Sequence, residues 1–107
     1  MQQILNINDT LDTFPVYQIL LCAGYSRFRA KAIESIAYEI DEDHREYETP
    51  KMTFLSFFHF LDTVKKGGDL SSLCDDLNLS DFVKSEIQDN IKSVKAVNYS
   101  RVFDLFN

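Results

Sequence analysis

The chain has 107 residues, 45% of them hydrophobic and 13% aromatic, with 3 glycines, 2 prolines and a formal net charge of −6. This composition supplies the core of one domain over residues 1–107, which argues against disorder, and its few turn residues argue against an all-β fold. The sequence contains no apolar run of the roughly 18 residues that a membrane span needs, and it contains no secretory signal. We therefore expect a cytoplasmic protein without a membrane segment.

The first half of the chain predicts a lead segment, two helices and a loop. Residues 1–14 are the lead, and Pro15 favours the start of a helix that ends at Gly24. Ser26 is a typical N-cap for a second helix over 27–41, and residues 41–48 are predicted to be a polar loop. The apolar stripe of the second helix consists of Phe28, Ala32, Ile33, Ile36, Ala37 and Ile40.

A third helix is predicted over 49–68, the most aromatic stretch of the sequence. Thr49 suits the N-cap, Pro50 suits the first helical position, and the pair Gly67–Gly68 suits the end. Its main apolar stripe consists of Phe54, Phe57, Phe58, Leu61 and Val64. Three further apolar residues, Met52, Leu55 and Phe60, lie off that stripe. A helix with two apolar faces is either central in the domain or shared with a partner.

The last third of the chain predicts two more helices and an apolar tail. Asp69 caps a short helix, and Ser80 caps a longer one that runs to about Lys95. The tail, 99–107, is either a last helical turn capped by Ser100 or a strand. The predicted fold class is therefore all-α, a single compact bundle of about five helices with short connections.

The acidic residues are concentrated in one run. Residues 39–48 hold six acids and one base, Arg45, so this run carries five of the six net negative charges. Its acids are Glu39, Asp41, Glu42, Asp43, Glu46 and Glu48. Such a cluster persists either because it is solvated or because a cationic partner matches it.

Residues 69–87, DLSSLCDDLNLSDFVKSEI, resemble a helix-turn-helix unit, with Asn78 at the turn. The resemblance implies DNA binding through the second helix. However, Lys84 stands where such a helix normally packs an aliphatic residue, and Asp81, Glu86 and Asp89 would repel phosphates. These departures favour a structural helical hairpin.

A second stretch, residues 16–36, is similar in its AGYS turn to small-terminase-type DNA-binding domains. This resemblance implies that Arg27, Arg29 and Lys31, at the start of the helix after the turn, contact nucleic acid. The net negative charge of the chain opposes that interpretation. The alternative is an amphipathic core helix with a solvated basic end.

Catalytic and metal-binding motifs are not found in the sequence. Neither His44 nor His59 has a second ligand at helical metal spacing, and neither Cys22 nor Cys74 has a motif that supplies a base. We therefore expect no enzyme activity, no metal and no cofactor.

The sequence favours a small acidic protein-binding module, an inhibitor or adaptor that occludes a basic surface of another protein. The alternatives are a DNA-binding regulator that uses 27–31 and a homo-oligomeric structural protein that buries Phe60 and the tail. The residues expected to contact the protein partner are Glu39, Asp41, Glu42, Asp43, Glu46, Glu48, Phe60, Phe103 and Phe106.

Overall fold

A computed structural model describes residues 6–12 and 14–106, and within them the fold is all-α without a strand. Its radius of gyration, 13.1 Å, is that of a compact chain of about 100 residues. The fold-class prediction is confirmed, with seven α-helices in place of about five. They are α1 (Val16–Cys22), α2 (Arg27–Glu46), α3 (Phe54–Lys65), α4 (Leu70–Asp76), α5 (Asp81–Asp89), α6 (Ile91–Lys95) and α7 (Tyr99–Phe103), followed by a 3-10 turn, Asp104–Phe106.

Helix α2 is longer than predicted and includes most of the acidic run. The prediction of a loop over 41–48 is wrong, because the helix ends only at Glu46. Nothing between Asp41 and Glu46 breaks a helix, and Arg45 supports it by pairing with Asp41 at 2.8 Å and with Glu42 at 3.0 Å. The chain leaves the helix through Glu48, whose φ is 54°.

Helix α3 begins four residues later than predicted. Its N-cap is Thr53, whose hydroxyl accepts a hydrogen bond from the Ser56 amide at 3.1 Å, so the predicted cap at Thr49 is wrong. The lead segment supplies the other acceptors. The amide of Phe54 donates to the carbonyl of Asp9, and the amide of Leu55 donates to that of Ile7, both at 2.8 Å. Tertiary contacts thus satisfy amides that the end of an isolated helix leaves free.

The predicted long helix after Ser80 is two helices that meet at Asn90. The φ and ψ of Asn90 are −107° and 18°, and its side-chain amide donates to the Glu86 carbonyl at 2.9 Å. This local hydrogen bond competes with the helical backbone. The tail is helical, and the side chain of Asn98 caps it by accepting from the amide of Ser100 at 3.1 Å. The strand alternative for the tail and the cap at Ser100 are therefore wrong.

The aromatic residues of α3 form the centre of the core together with the lead segment and the tail. The Phe54 ring stacks on Phe14 with centroids 3.7 Å apart, and Phe58 meets Tyr99 at 5.4 Å and Phe103 at 6.3 Å. Phe60 lies on another face of α3, where it lines a depression together with Leu73 and Asp76 of α4. The tail and α4 therefore cover different faces of the same helix.

The pKa of the buried Tyr99 hydroxyl lies well above its usual range, mainly because burial disfavours the charged form. Unfolded tyrosine ionises near pH 10, so its contribution to stability is complete below that pH and is lost as the pH rises further. We expect the free energy of unfolding to fall by up to about 1.4 kcal/mol per pH unit above about pH 10 because of this residue. Urea unfolding of wild type and Tyr99→Phe between about pH 8 and about pH 11 tests this, since the variant lacks the ionisable group. Equal slopes in the two proteins would contradict it.

Candidate functional site

The second half of α2 and the beginning of α5 enclose an open groove of about 590 Å³. Its lining is mostly acidic, and we call it the acidic groove. The lining residues are Glu39, Glu42, Asp43, Glu46, Tyr47, Ser80, Asp81 and Phe82. Helical spacing explains the convergence, since residues 39, 42, 43 and 46 lie three or four positions apart and share one side of α2.

One acid of the groove has a structural role. Asp43 is 6% exposed, and its Oδ2 accepts a hydrogen bond from the Ser80 amide at 3.1 Å. Ser80 is the N-cap of α5, and its own side chain makes no capping bond. A Glu at the third helical position often accepts from the N-cap amide, but α5 has the buried Val83 there. Asp43 supplies that acceptor from α2.

Two other acids of the predicted set lie outside the groove. Asp41 is 9% exposed and lines a neighbouring depression of about 610 Å³, where it pairs with Arg45. This depression shares Glu39 and Glu42 with the groove. Glu48 is exposed beyond the end of the helix and is not among the lining residues of the groove. The other carboxylates of the groove belong to Glu39, Glu46, Asp81 of α5 and Glu42, which also pairs with Arg45 at 3.0 Å.

The exposed aromatics beside the groove are not the ones that the sequence predicts. Tyr47 is 60% exposed and Phe82 is 59% exposed, and both line the groove. The expectation that Phe60 is an exposed anchor is wrong, because only 5% of it is accessible. Phe103 and Phe106 are half-buried.

These aromatic positions follow from tertiary packing. Phe103 packs on His59 with ring centroids 5.2 Å apart, and Phe106 packs on Phe54 at 5.6 Å. Phe82 follows Asp81 in the first turn of α5, about 100° around the helix from the core residue Val83. Its position beside the acid-rich segment of α2 depends on how α5 packs against α2. These two helices are far apart in the sequence, so no local pattern predicts that Phe82 lies there.

The three bases of the alternative nucleic-acid site do not share a face. Arg27 and Lys31 are one turn apart, whereas Arg29 lies about 160° around the helix from each of them. Lys31 already pairs with Glu34 at 3.0 Å and lies 4.4 Å from the centroid of the Tyr17 ring. The basic end of α2 therefore presents a smaller cationic surface than the sequence suggested.

The stretch that resembles a helix-turn-helix is a hairpin of α4 and α5, with Asn78 in the left-handed conformation at φ 58°. Lys84, which occupies an aliphatic position of that motif, donates to the Ser71 hydroxyl at 2.8 Å. This hydrogen bond joins the two helices, so Lys84 has a structural contact within the hairpin.

The two cysteines and two histidines lie on four different helices: Cys22 on α1, His44 on α2, His59 on α3 and Cys74 on α4. Cys22 and Cys74 are both free thiols, and burial raises the pKa of the Cys74 thiol, which lowers its reactivity. His44 is 4% exposed, and neither of its ring nitrogens has a hydrogen-bond partner among the described residues. Within 6–12 and 14–106, no group of three or more His, Cys, Asp or Glu side chains is placed to hold a metal ion.

None of the helices in the described part of the chain combines the length and apolarity required to cross a bilayer. Comparisons of the chain with protein-family models, with curated proteins and with solved structures find no match.

Proposed function

We propose that this protein is a cytoplasmic binding module that docks a basic surface of another protein into its acidic groove and so occludes that surface. The observation that supports the proposal is the convergence of Glu39, Glu42, Glu46 and Asp81 beside two exposed aromatic rings. The proposed role is inhibition or adaptation by binding and involves no chemical step.

The acidic groove offers both kinds of contact that a protein interface uses. Its carboxylates give electrostatic complementarity to lysine and arginine side chains, which mainly raises the association rate and the selectivity. Tyr47 and Phe82 provide rigid apolar area, and tyrosine is among the residues that most often dominate binding energy. A patch that combines the two fits a folded basic partner better than it fits a free cation.

The cytoplasmic part of the proposal is supported by the cysteines. Cys22 is exposed and unpaired, and Cys74 is buried and unpaired. Unpaired thiols suit a reducing compartment better than an oxidising one.

Affinity capture from a nuclease-treated lysate of the cells that make the protein tests the proposal. We expect wild type to retain a basic protein whose affinity falls as salt is raised. The double variant Glu46→Gln/Asp81→Asn and the variant Phe82→Ala are expected to lose at least about tenfold in affinity for that purified protein. Asp75→Asn/Asp89→Asn is the matched control, because it removes the same amount of charge from exposed positions outside the groove.

Equal affinity of the groove variants and the control would contradict the proposal. So would a partner whose binding does not respond to salt. Capture of nucleic acid from a parallel lysate without nuclease treatment, and its loss in Arg27→Ala/Lys31→Ala, would favour the DNA-binding alternative.

A further inference from the structure

The solvent side of α2 carries a stripe of exposed and half-buried residues. It contains Phe28, which is 77% exposed, and Tyr38, which is 60% exposed. The sequence placed Phe28 in the core stripe, and that prediction is wrong. We call this surface the outer face of α2, and it consists of Arg27, Phe28, Lys31, Ala32, Ser35, Tyr38, Glu39 and Glu42. Residues 28, 32, 35, 39 and 42 have the spacing of a helix-packing stripe.

The charges on the outer face are divided between its two halves. Arg27 and Lys31 precede Ser35, whereas Glu39 and Glu42 follow it. This order opposes the helix dipole, which favours acids near the N-terminus and bases near the C-terminus, and the first turn of α2 contains no acid. The helix dipole therefore does not explain the arrangement. Within α2, Lys31 also pairs with Glu34 and Glu42 pairs with Arg45, both at 3.0 Å.

The arrangement is self-complementary about Ser35. If a second copy of α2 is placed antiparallel with the two-fold axis at Ser35, Lys31 faces Glu39 of the second copy. Phe28 then lies beside Glu42, and Ala32 faces Tyr38. Each contact occurs twice, as in any two-fold interface. The two helix dipoles also run in opposite directions, and each basic half lies against an acidic half.

The shape of the outer face agrees with this pairing. Ser35 is small, so two helices can approach closely at the axis. A depression of about 440 Å³ lies between α2 and Asn90, and Ala32 is among its lining residues. Tyr38 of the second copy is the side chain that reaches this depression in the antiparallel register. The paired stretch, 28–42, is about 21 Å long.

We propose that the outer face of α2 is a homodimer surface whose occupant is a second copy of this chain, packed antiparallel about Ser35. The dimer goes beyond the proposed function and does not depend on it. It also regulates that function, because it covers Glu39 and Glu42, which line the acidic groove. Self-association and groove binding therefore compete. Phe28 belongs only to the outer face and Phe82 only to the acidic groove, so substitutions at these two residues distinguish the two kinds of binding.

Sedimentation velocity between about 1 µM and about 1 mM chain tests the dimer, because a short interface of this kind gives modest affinity. We expect a concentration-dependent dimer in wild type and at least a tenfold weaker one in Phe28→Ala. The reversals Arg27→Glu/Lys31→Glu and Glu39→Lys/Glu42→Lys should each give a monomer, because like charges then meet across the axis. The control Lys92→Glu/Lys95→Glu, on exposed positions of α6, should dimerise like wild type.

A chain that carries all four reversals at once distinguishes this register from general charge attraction. Its basic and acidic halves are exchanged, so the antiparallel pair is complementary again and the dimer should return. A monomer at every concentration in wild type overturns the proposal. A dimer that Phe28→Ala and both reversals leave unchanged also overturns it, as does a fourfold variant that stays monomeric. Phe82→Ala should leave the dimer intact, so failure of groove binding and failure of the dimer are distinguishable.

Discussion

Replacement of Phe58 with alanine is expected to lower the free energy of unfolding by about 3–5 kcal/mol, the largest effect of any single substitution considered for this chain. Phe58 is fully buried, and its ring contacts Phe54 at 4.4 Å, Phe57 at 5.2 Å and Tyr99 at 5.4 Å between centroids. Removal of the ring leaves a cavity, and the surrounding side chains pack against one another too closely to move and fill it. A domain of this size has a total stability of roughly 5–15 kcal/mol, so the variant loses a large fraction of it.

Urea unfolding followed by far-ultraviolet circular dichroism measures this loss, because the chain has no tryptophan and its signal is helical. Phe82→Ala removes the same ring from a position that is 59% exposed, and its stability should stay within about 0.5 kcal/mol of wild type. Phe58→Leu leaves a smaller cavity and should lose less stability than Phe58→Ala, so it is the variant to compare if the alanine variant does not fold. Equal losses at Phe58 and Phe82 would mean that the aromatic core is assigned incorrectly.

Local signals in the sequence predicted much of the fold. Ser26 and Asp69 stand at the N-caps of α2 and α4 and accept hydrogen bonds from the amides of Arg29 and Ser71. Gly24 and Gly67 have φ values of 95° and 94°, and both follow helix ends. These features depend on side chains within a few residues of the helix terminus, which is why the sequence alone reveals them.

The fold predictions are wrong where residues that are distant in sequence determine the bounds of a helix. Both Thr49 and Thr53 can cap a helix, and the lead segment selects Thr53 because its carbonyls at Ile7 and Asp9 meet the amides of Leu55 and Phe54. The density of charge over 41–48 suggested a loop. The helix continues there, and its inner side extends the buried stripe of Ile33 and Ala37 through Ile40 and His44.

The candidate site was predictable only in part. The sequence located the acids, and four of them, Glu39, Glu42, Asp43 and Glu46, do line one groove. It could not show that Asp41 and Asp43 are buried, since both belong to the same charged run as their exposed neighbours. It also could not place Phe82 of α5 beside α2, because that contact depends on how the two helices pack.

Asp43 is expected to behave unlike the other acids of the groove. Asp43→Ala should lower the free energy of unfolding by about 1.5–3 kcal/mol, because it removes a buried, charge-assisted hydrogen bond and leaves the Ser80 amide without its acceptor. The carboxylate also lies at the N-terminus of α5, where the helix dipole favours a negative charge. Asp43→Asn retains an acceptor oxygen without the charge, so its loss should be roughly half as large.

Glu46→Ala is the matched control, since it removes an exposed acid one turn further along α2 and should change stability by less than about 0.5 kcal/mol. Urea unfolding of the three variants gives the comparison. If Asp43→Ala and Glu46→Ala are equally stable, Asp43 does not hold the start of α5. If they differ as expected, the acids of one groove perform two tasks: Asp43 fixes α5 against α2 and so determines where Asp81 and Phe82 stand, while Glu46 remains free to meet a partner. Loss of binding in Asp43→Ala would then follow from a displaced groove wall and would not identify Asp43 as a contact residue.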